Sequence, residues 1–241
     1  MIVTTFSPQG YEQYGKRFIE TYKKYCNLPL VIYVEDDLKI EGVDVRNLYE
    51  VPNCIPFLQS VKNYKPDHYR RDVNKFSRKV FAITDAGLTH KGKFAFIGAD
   101  TYFQKIIPND FLDKLLGDKY IAYLGRSKLH SETDFIAFNT EDKFNPLFMG
   151  LFVSMYTTGA YKDLEYFCDS DVFDHIRKLL GVSETNLNTE DDHTHPFANS
   201  ILDEYMIHLK GPERKHTGKY LEDDYKGMTG KEYVDKYRIR A

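Results

Sequence analysis

The sequence predicts an α/β fold, one domain with a central, mostly parallel sheet flanked by helices. Three observations carry this reading. The chain opens strand, helix, strand; short apolar runs then alternate with helix-length amphipathic segments; and 241 residues is the upper range of one α/β domain, long enough to bury a core without disulfide or metal staples.

The opening run Met1 to Phe6 is short and rich in β-branched residues, and it breaks at Ser7-Pro8-Gln9-Gly10. Over 11–25, Tyr14, Phe18, Ile19, Tyr22 and Tyr25 recur at helical spacing. A second apolar run, Leu30 to Val34, ends in the acidic cluster Glu35-Asp36-Asp37, so the opening β-α-β unit predicts parallel strands joined by a right-handed crossover. A helix is expected over 67–86, with Val73, Phe76, Val80 and Ile83 packed and Arg70, Arg71, Lys75, Arg78 and Lys79 on a basic face. After Gly92 a buried strand over 93–98 runs into the turn Ala99-Asp100-Thr101, and an amphipathic helix starts at Asp110. Strands are expected over 120–124 and 134–139, helices over 161–180 and 199–208, and a mobile loop over 181–194. The charged tail over 220–241, with Gly227 and Gly230, is expected to wrap or fray.

Composition narrows the function. A net charge of −3 provides no global attraction to nucleic acid or anionic membrane, so any polyanion must meet a local basic patch. Three widely spaced cysteines, Cys26, Cys54 and Cys168, form neither a disulfide framework nor a metal cluster, and point to a reducing, cytoplasmic compartment. The N-terminus enters a strand with no basic-then-apolar leader, and no apolar run approaches the roughly 18 residues of a spanning helix, so neither secretion nor a membrane anchor is expected. Ser7-Pro8-Gln9-Gly10 has neither the P-loop nor the dinucleotide spacing, which argues against a kinase, an ATPase or a dehydrogenase. No nucleophile elbow or Cys-His pairing stands out.

In open α/β sheets the ligand crevice lies beyond the carboxyl ends of the strands, and Asp100 is delivered there by the strand before it. A carboxylate at that point can hold a divalent cation; it can equally cap a turn or helix. Ser131-Glu132-Thr133-Asp134 places Glu132 and Asp134 at another strand edge, where they are candidate catalytic carboxylates or members of an ordinary turn. The cluster Asp191-Asp192-His193-Thr194-His195-Pro196 matches no tight zinc spacing and reads as a substrate loop or a solvated one.

The segment Phe96-Ile97-Gly98-Ala99-Asp100-Thr101-Tyr102, with Pro108 downstream, resembles the Asp-x-Asp segment of A-type glycosyltransferases, with Gly98 standing where the first Asp is expected. His208-Leu209-Lys210-Gly211-Pro212-Glu213-Arg214-Lys215 is similar to the His-x-x-Gly segment, followed by a Lys, of retaining members. The resemblance implies a Rossmann-like domain of the A-type fold that moves a sugar from a nucleoside-diphosphate donor such as UDP-glucose to an acceptor hydroxyl, with retention. Asp100 and His208 would hold a divalent cation, manganese or magnesium. Gly211 would allow close backbone approach, and Lys215, with Arg214 or Lys75, would meet the diphosphate, Arg78 being the other choice on the basic helix. Thr4, Thr5 and Phe6 end where base and ribose lie in such folds, with Tyr11 and Tyr14 nearby for stacking. The acceptor stays open between a glycan, a protein and a hydroxymethylated DNA base, the last because compact relatives occur in viruses, which would place the protein in the host cytoplasm. The contrasting reading, motivated by Gly98, is a non-catalytic module that binds a nucleotide-sugar or glycan.

Overall fold

A computed structural model of the chain describes residues 1–35, 37–189 and 195–225. Its centre is a seven-stranded sheet in the order β3-β2-β1-β4-β7-β6-β8. The strands are β1 (Ile2–Phe6), β2 (Leu30–Val34), β3 (Asp44–Asn47), β4 (Lys93–Ile97), β6 (Ile121–Leu124), β7 (Glu132–Asn139) and β8 (Glu184–Asn186). β3, β2, β1 and β4 run parallel, and β8 runs parallel to β6; β7 alone is inserted antiparallel, between β4 and β6. The expected mostly parallel sheet is therefore present, with one reversed strand.

Period-two alternation makes this sheet two-faced. Val3, Val31, Tyr33, Phe94, Phe96, Ile136 and Phe138 join one core. Ile2, Phe6, Ile32, Ala95, Ile97, Phe135 and Ala137 join the other. The first is covered by α3 (Cys54–Val61), α4 (Val73–Thr89), α6 (Asn145–Thr157) and α7 (Asp169–Leu180), and the second by α2 (Lys16–Tyr25) and α5 (Phe111–Leu116). Burying one Phe or Ile side chain contributes about 1.5–3 kcal/mol, so these sheet residues supply much of the driving force that holds the strand ends in place.

Three expected helices differ from the observed ones, each for a local reason. The segment 67–86 is helical only from Val73, because the Asp72 side chain caps α4 by accepting from the Lys75 N–H at 3.1 Å. Arg70 and Arg71 belong to a preceding 3-10 turn, Tyr69–Arg71. The segment 161–180 is split, with a 3-10 turn at Ala160–Asp163 and α7 starting at Asp169 under two acidic first-turn residues. The segment 199–208 is not an α-helix: after the 3-10 turn Ile201–Glu204 it becomes β9 (Met206–His208), captured by β5 (Thr101–Phe103) as a two-stranded antiparallel ribbon. Met206 and His208 face inward there and Ile207 is half-buried, a strand alternation that three residues could not announce in the sequence. The expected loop over 181–194 contains β8, and its residues 190–194 lie outside the described set, as do Asp36 and residues 226–241 of the tail.

Candidate functional site

The strand order reverses between β1 and β4: from β1 the chain proceeds outward to β2 and β3, then returns to lay β4 on β1's other side. Such a switch point opens a crevice at the carboxyl ends of its two strands. Beyond β1, Ser7 caps α1 (Pro8–Gly10) by accepting from the Gly10 N–H at 3.1 Å, and the chain then makes a π-helical stretch, Tyr11–Gly15, before α2. π-turns often occur at functional sites, and here the stretch carries Tyr14 toward the end of β4. Tyr14, Gln13 and Arg17 line a small cleft with Ala99, Asp100, Thr101, Tyr102 and Leu209. The Tyr14 hydroxyl is held above its ordinary pKa by burial first and then by the carboxylates of Asp100, Asp134 and Glu35.

Three strand ends bring a carboxylate, a carboxylate and an imidazole together at this point. Asp100 lies between β4 and β5. β9 pairs with β5 so that His208 sits opposite Thr101, and the Leu209 N–H donates to the Asp100 carbonyl at 3.1 Å. β7 pairs antiparallel with β4, and the Gly98 N–H donates to the Asp134 carbonyl at 2.8 Å, which sets the Asp134 side chain beside Gly98. One ligand atom from each of Asp100, Asp134 and His208 lies within 4.8 Å of the others.

His208 is fully buried. Its Nε2 is 3.2 Å from Asp100 Oδ1 and 3.3 Å from Asp134 Oδ2, yet neither ring nitrogen is aligned for a hydrogen bond among the described residues. Burial alone would lower its pKa, but the carboxylates of Asp100 and Asp134 overcome this and raise it to about 10. A positive charge is what the two acids demand at that position. A divalent cation satisfies the demand with a neutral imidazole, and two carboxylate oxygens plus one imidazole nitrogen suit manganese or magnesium-like ions. The residues present therefore fit the ion that the sequence resemblance implies.

Around this trio the charges are closely partnered. Lys79 Nζ lies 2.8 Å from both Asp134 Oδ1 and Asp169 Oδ2, and 3.1 Å from Thr133 Oγ1. Burial opposes the charge on Asp134, but Lys79 and His208 hold its pKa well below the usual carboxylate range. Glu132 pairs with Lys210, whose charge outweighs burial and holds the Glu132 carboxyl below its ordinary pKa. His195, buried against His208 and Tyr220, is kept neutral by burial and then by the cationic neighbours His208, Lys210 and Arg214.

The remaining sequence candidates are scattered around this centre. Thr5 is half-buried in β1, and Tyr11 stacks on Phe6 at 5.7 Å between ring centroids. Lys75 is exposed in the first turn of α4, its ammonium 5.5 Å from the Phe76 ring centroid. Arg78 pairs with Glu35 at 2.8 Å, at the carboxyl end of β2. Gly211 opens α8 (Gly211–Thr217) with φ +82°, a left-handed conformation suited to glycine. Arg214 is buried and bound through Nε to Asp224 Oδ2 at 2.7 Å. The Lys215 side chain, and the cluster 191–194, lie outside the described residues.

Several cations of the expected basic face, and one downstream of it, pair with carboxylates. Arg71 pairs with Asp67 at 2.8 Å, Arg78 with Glu35, Lys79 with two aspartates, and downstream Lys210 with Glu132. Sequence reasoning preferred Lys75 and Arg78 to Lys79 and overlooked Asp169. Lys75 and Lys79 are one helical turn apart, so periodicity alone does not say which reaches the centre. A second, larger concavity of about 750 Å³ lies at the β2–β3 edge, lined by residues including Tyr33, Asp37, Lys39, Arg46, Asn47 and Asp85.

No protein-family model matches the sequence, and no curated protein matches it. Among solved structures, the fold is similar to that of mouse xyloside xylosyltransferase 1, with a TM-score of 0.51 at 9% identity over 78% of this chain and 84% of that one. It is similar to the glycosyltransferase GlyE of Streptococcus pneumoniae (TM-score 0.50, 12% identity, 77% of this chain and 44% of that one). It is also similar to the bifunctional glycosyltransferase WbbM (TM-score 0.50, 16% identity, 88% of this chain and 45% of that one). The chain thus spans less than half the length of the last two. With its mixed seven-stranded sheet, its helical layers and these neighbours, the chain has the A-type glycosyltransferase fold.

Proposed function

We propose that the protein transfers a sugar from a nucleoside-diphosphate donor, such as UDP-glucose, to an acceptor hydroxyl, with retention of configuration and with a divalent cation. One observation carries the reading: Asp100 and His208 converge, with Asp134, at the switch point where this fold places its ligand crevice. When bound, the ion would supply positive charge to the diphosphate as it leaves.

The chain's own residues would do the rest. Asp100 and His208 would hold the ion. The crevice beyond β1, with Thr5, Tyr11 and Tyr14, would receive the nucleoside, and Lys75, Arg78, Gly211 and Lys215 remain candidates for the diphosphate side. Front-face attack, in which the acceptor hydroxyl passes its proton to the departing phosphate, needs little protein base. That agrees with Glu132 being engaged by Lys210 and Asp134 by Lys79 rather than poised to take a proton. The buried, free thiols of Cys26, Cys54 and Cys168 suit a reducing compartment. Among the described residues no helix is long and apolar enough to cross a membrane.

The experiment is a donor panel. Purified protein with manganese should release nucleoside diphosphate from at least one common nucleotide-sugar, faster when a glycan acceptor is added. No release from any donor, with or without acceptors, would reject the enzymatic reading, and donor binding by thermal shift without release would favour the binding module instead.

A further inference from the structure

We infer that Asp134 is the second carboxylate of the cation site, moved in sequence from position 98 to the neighbouring strand, and that Gly98 lacks a side chain because the Asp134 carboxylate occupies its space. The inference rests on the cation reading above, but it concerns which residues bind rather than what is transferred.

The geometry is direct. A Cβ added at Gly98 would lie 2.9 Å from Asp134 Cβ, Cγ and Oδ1, closer than real side chains approach. Two adjacent antiparallel strands cannot both aim a carboxylate into that volume. The backbone leaves no slack to separate them, because the Gly98 N–H is tied to the Asp134 carbonyl at 2.8 Å and the register continues through Ile97 opposite Phe135. No left-handed conformation is needed at Gly98, so closeness rather than backbone freedom is the reason for glycine there.

The two oxygens of Asp134 have separate duties. Oδ1 meets Lys79 at 2.8 Å, and Lys79 is anchored from its other side by Asp169 and Thr133. Oδ2 turns toward His208 at 3.3 Å, on the side where Asp100 also presents an oxygen. A carboxylate oriented through one oxygen and offering the other to a shared centre is how supported metal ligands are held. The loss of the first motif acid therefore does not leave a one-carboxylate site: the pair is rebuilt from strands β4 and β7.

The test is direct manganese binding, read by electron paramagnetic resonance of free Mn²⁺ and independent of any donor or acceptor. Wild type should bind the ion, and Asp134→Asn, nearly the same shape, should weaken binding by about tenfold or more. Gly98→Asp alone should also weaken it, through crowding. The double variant Gly98→Asp with Asp134→Gly, which returns the carboxylate to its motif position, should bind more tightly than either single variant. Circular dichroism and melting of the metal-free proteins control for folding, and should any variant fail to fold, Asp134→Glu in its place should shift affinity measurably. Manganese affinity in Asp134→Asn equal to wild type, or no binding by the wild type, would overturn the inference. If Asp134→Asn loses manganese while no donor is ever turned over, the cation site stands and the transfer reading alone fails.

Discussion

Two buried clusters of charge lie along β7, and they are built on opposite plans. At the outer cluster, Asp174 accepts from the Ser131 N–H at 2.9 Å, from the Ser131 hydroxyl at 2.6 Å and from Arg177 Nε at 2.7 Å. Arg177 also reaches Glu184 at 2.7 Å and lies over the Tyr123 ring at 4.3 Å. Every charge there has a hydrogen-bonding partner, and the result ties α7 to the residue before β7 and to β8. At the inner cluster, His208 is fully buried, neither ring nitrogen is aligned for a hydrogen bond among the described residues, and two carboxylates converge on it. Buried charge is common to both; a buried ring without an aligned hydrogen bond among the described residues belongs to one. A buried polar group left short of partners is the feature that needs a functional explanation.

The sharpest way to break the comparison is to disturb the satisfied cluster. Replacing Arg177 by Met should cost about 3–5 kcal/mol of stability, since it strands Asp174 in a buried position, while leaving manganese affinity unchanged where the protein stays folded. Denaturant melts and metal titration together check this, and a loss of metal affinity in the folded variant would show the clusters to be coupled. Asp100→Ala should do the reverse, lowering transfer by about 10²–10³-fold in the donor assay and costing the fold far less than the Arg177 change.

Lys79 sharpens the contrast from within the inner cluster. Lys79→Gln should cost about 1–3 kcal/mol, because Asp169 and Asp134 lose a shared partner. Manganese should then raise the melting temperature of this variant less than that of the wild type, because Asp134 has lost the partner that orients it. An equal or larger rise would mean that Lys79 does not position Asp134 for the ion.

The smallest effect concerns a thiol outside both clusters. Burial raises the Cys54 pKa from 9.0 to about 11. The folded state therefore keeps its proton where the unfolded chain has lost it, so this group's stabilisation is fully present below pH 9 and is lost as pH rises toward 11. Melting curves across that window should decline less in Cys54→Ala than in wild type, and below pH 9 the difference between the two should be constant.

Much of the site could be read from the sequence where the information is local. The run before Asp100 is apolar on both faces, as a central strand must be, and the turn after it places the carboxylate at the sheet's edge. His208 was recognisable by its spacing to Gly211. What could not be read is register. That His208 stands opposite Thr101 depends on a three-residue strand pairing across more than a hundred positions, and the local pattern of Ile201, Leu202 and Tyr205 suggested a helix instead. Asp134 looked like a candidate base because nothing local says that it fills the space above Gly98. The choice of Lys79 over Lys75 depends on where Asp72 starts the helix, a matter of one cap.

The β5–β9 ribbon has a thermodynamic consequence. Asp100, Asp134 and His208 are remote from one another along the chain, so an ion held by all three would act as a clasp that closes two long loops at once. Unfolding would have to release it, and occupancy of the site and integrity of the sheet edge would form a single equilibrium. Stability would then rise with the logarithm of free ion concentration once the site is filled, making the supply of metal a regulator of the folded fraction.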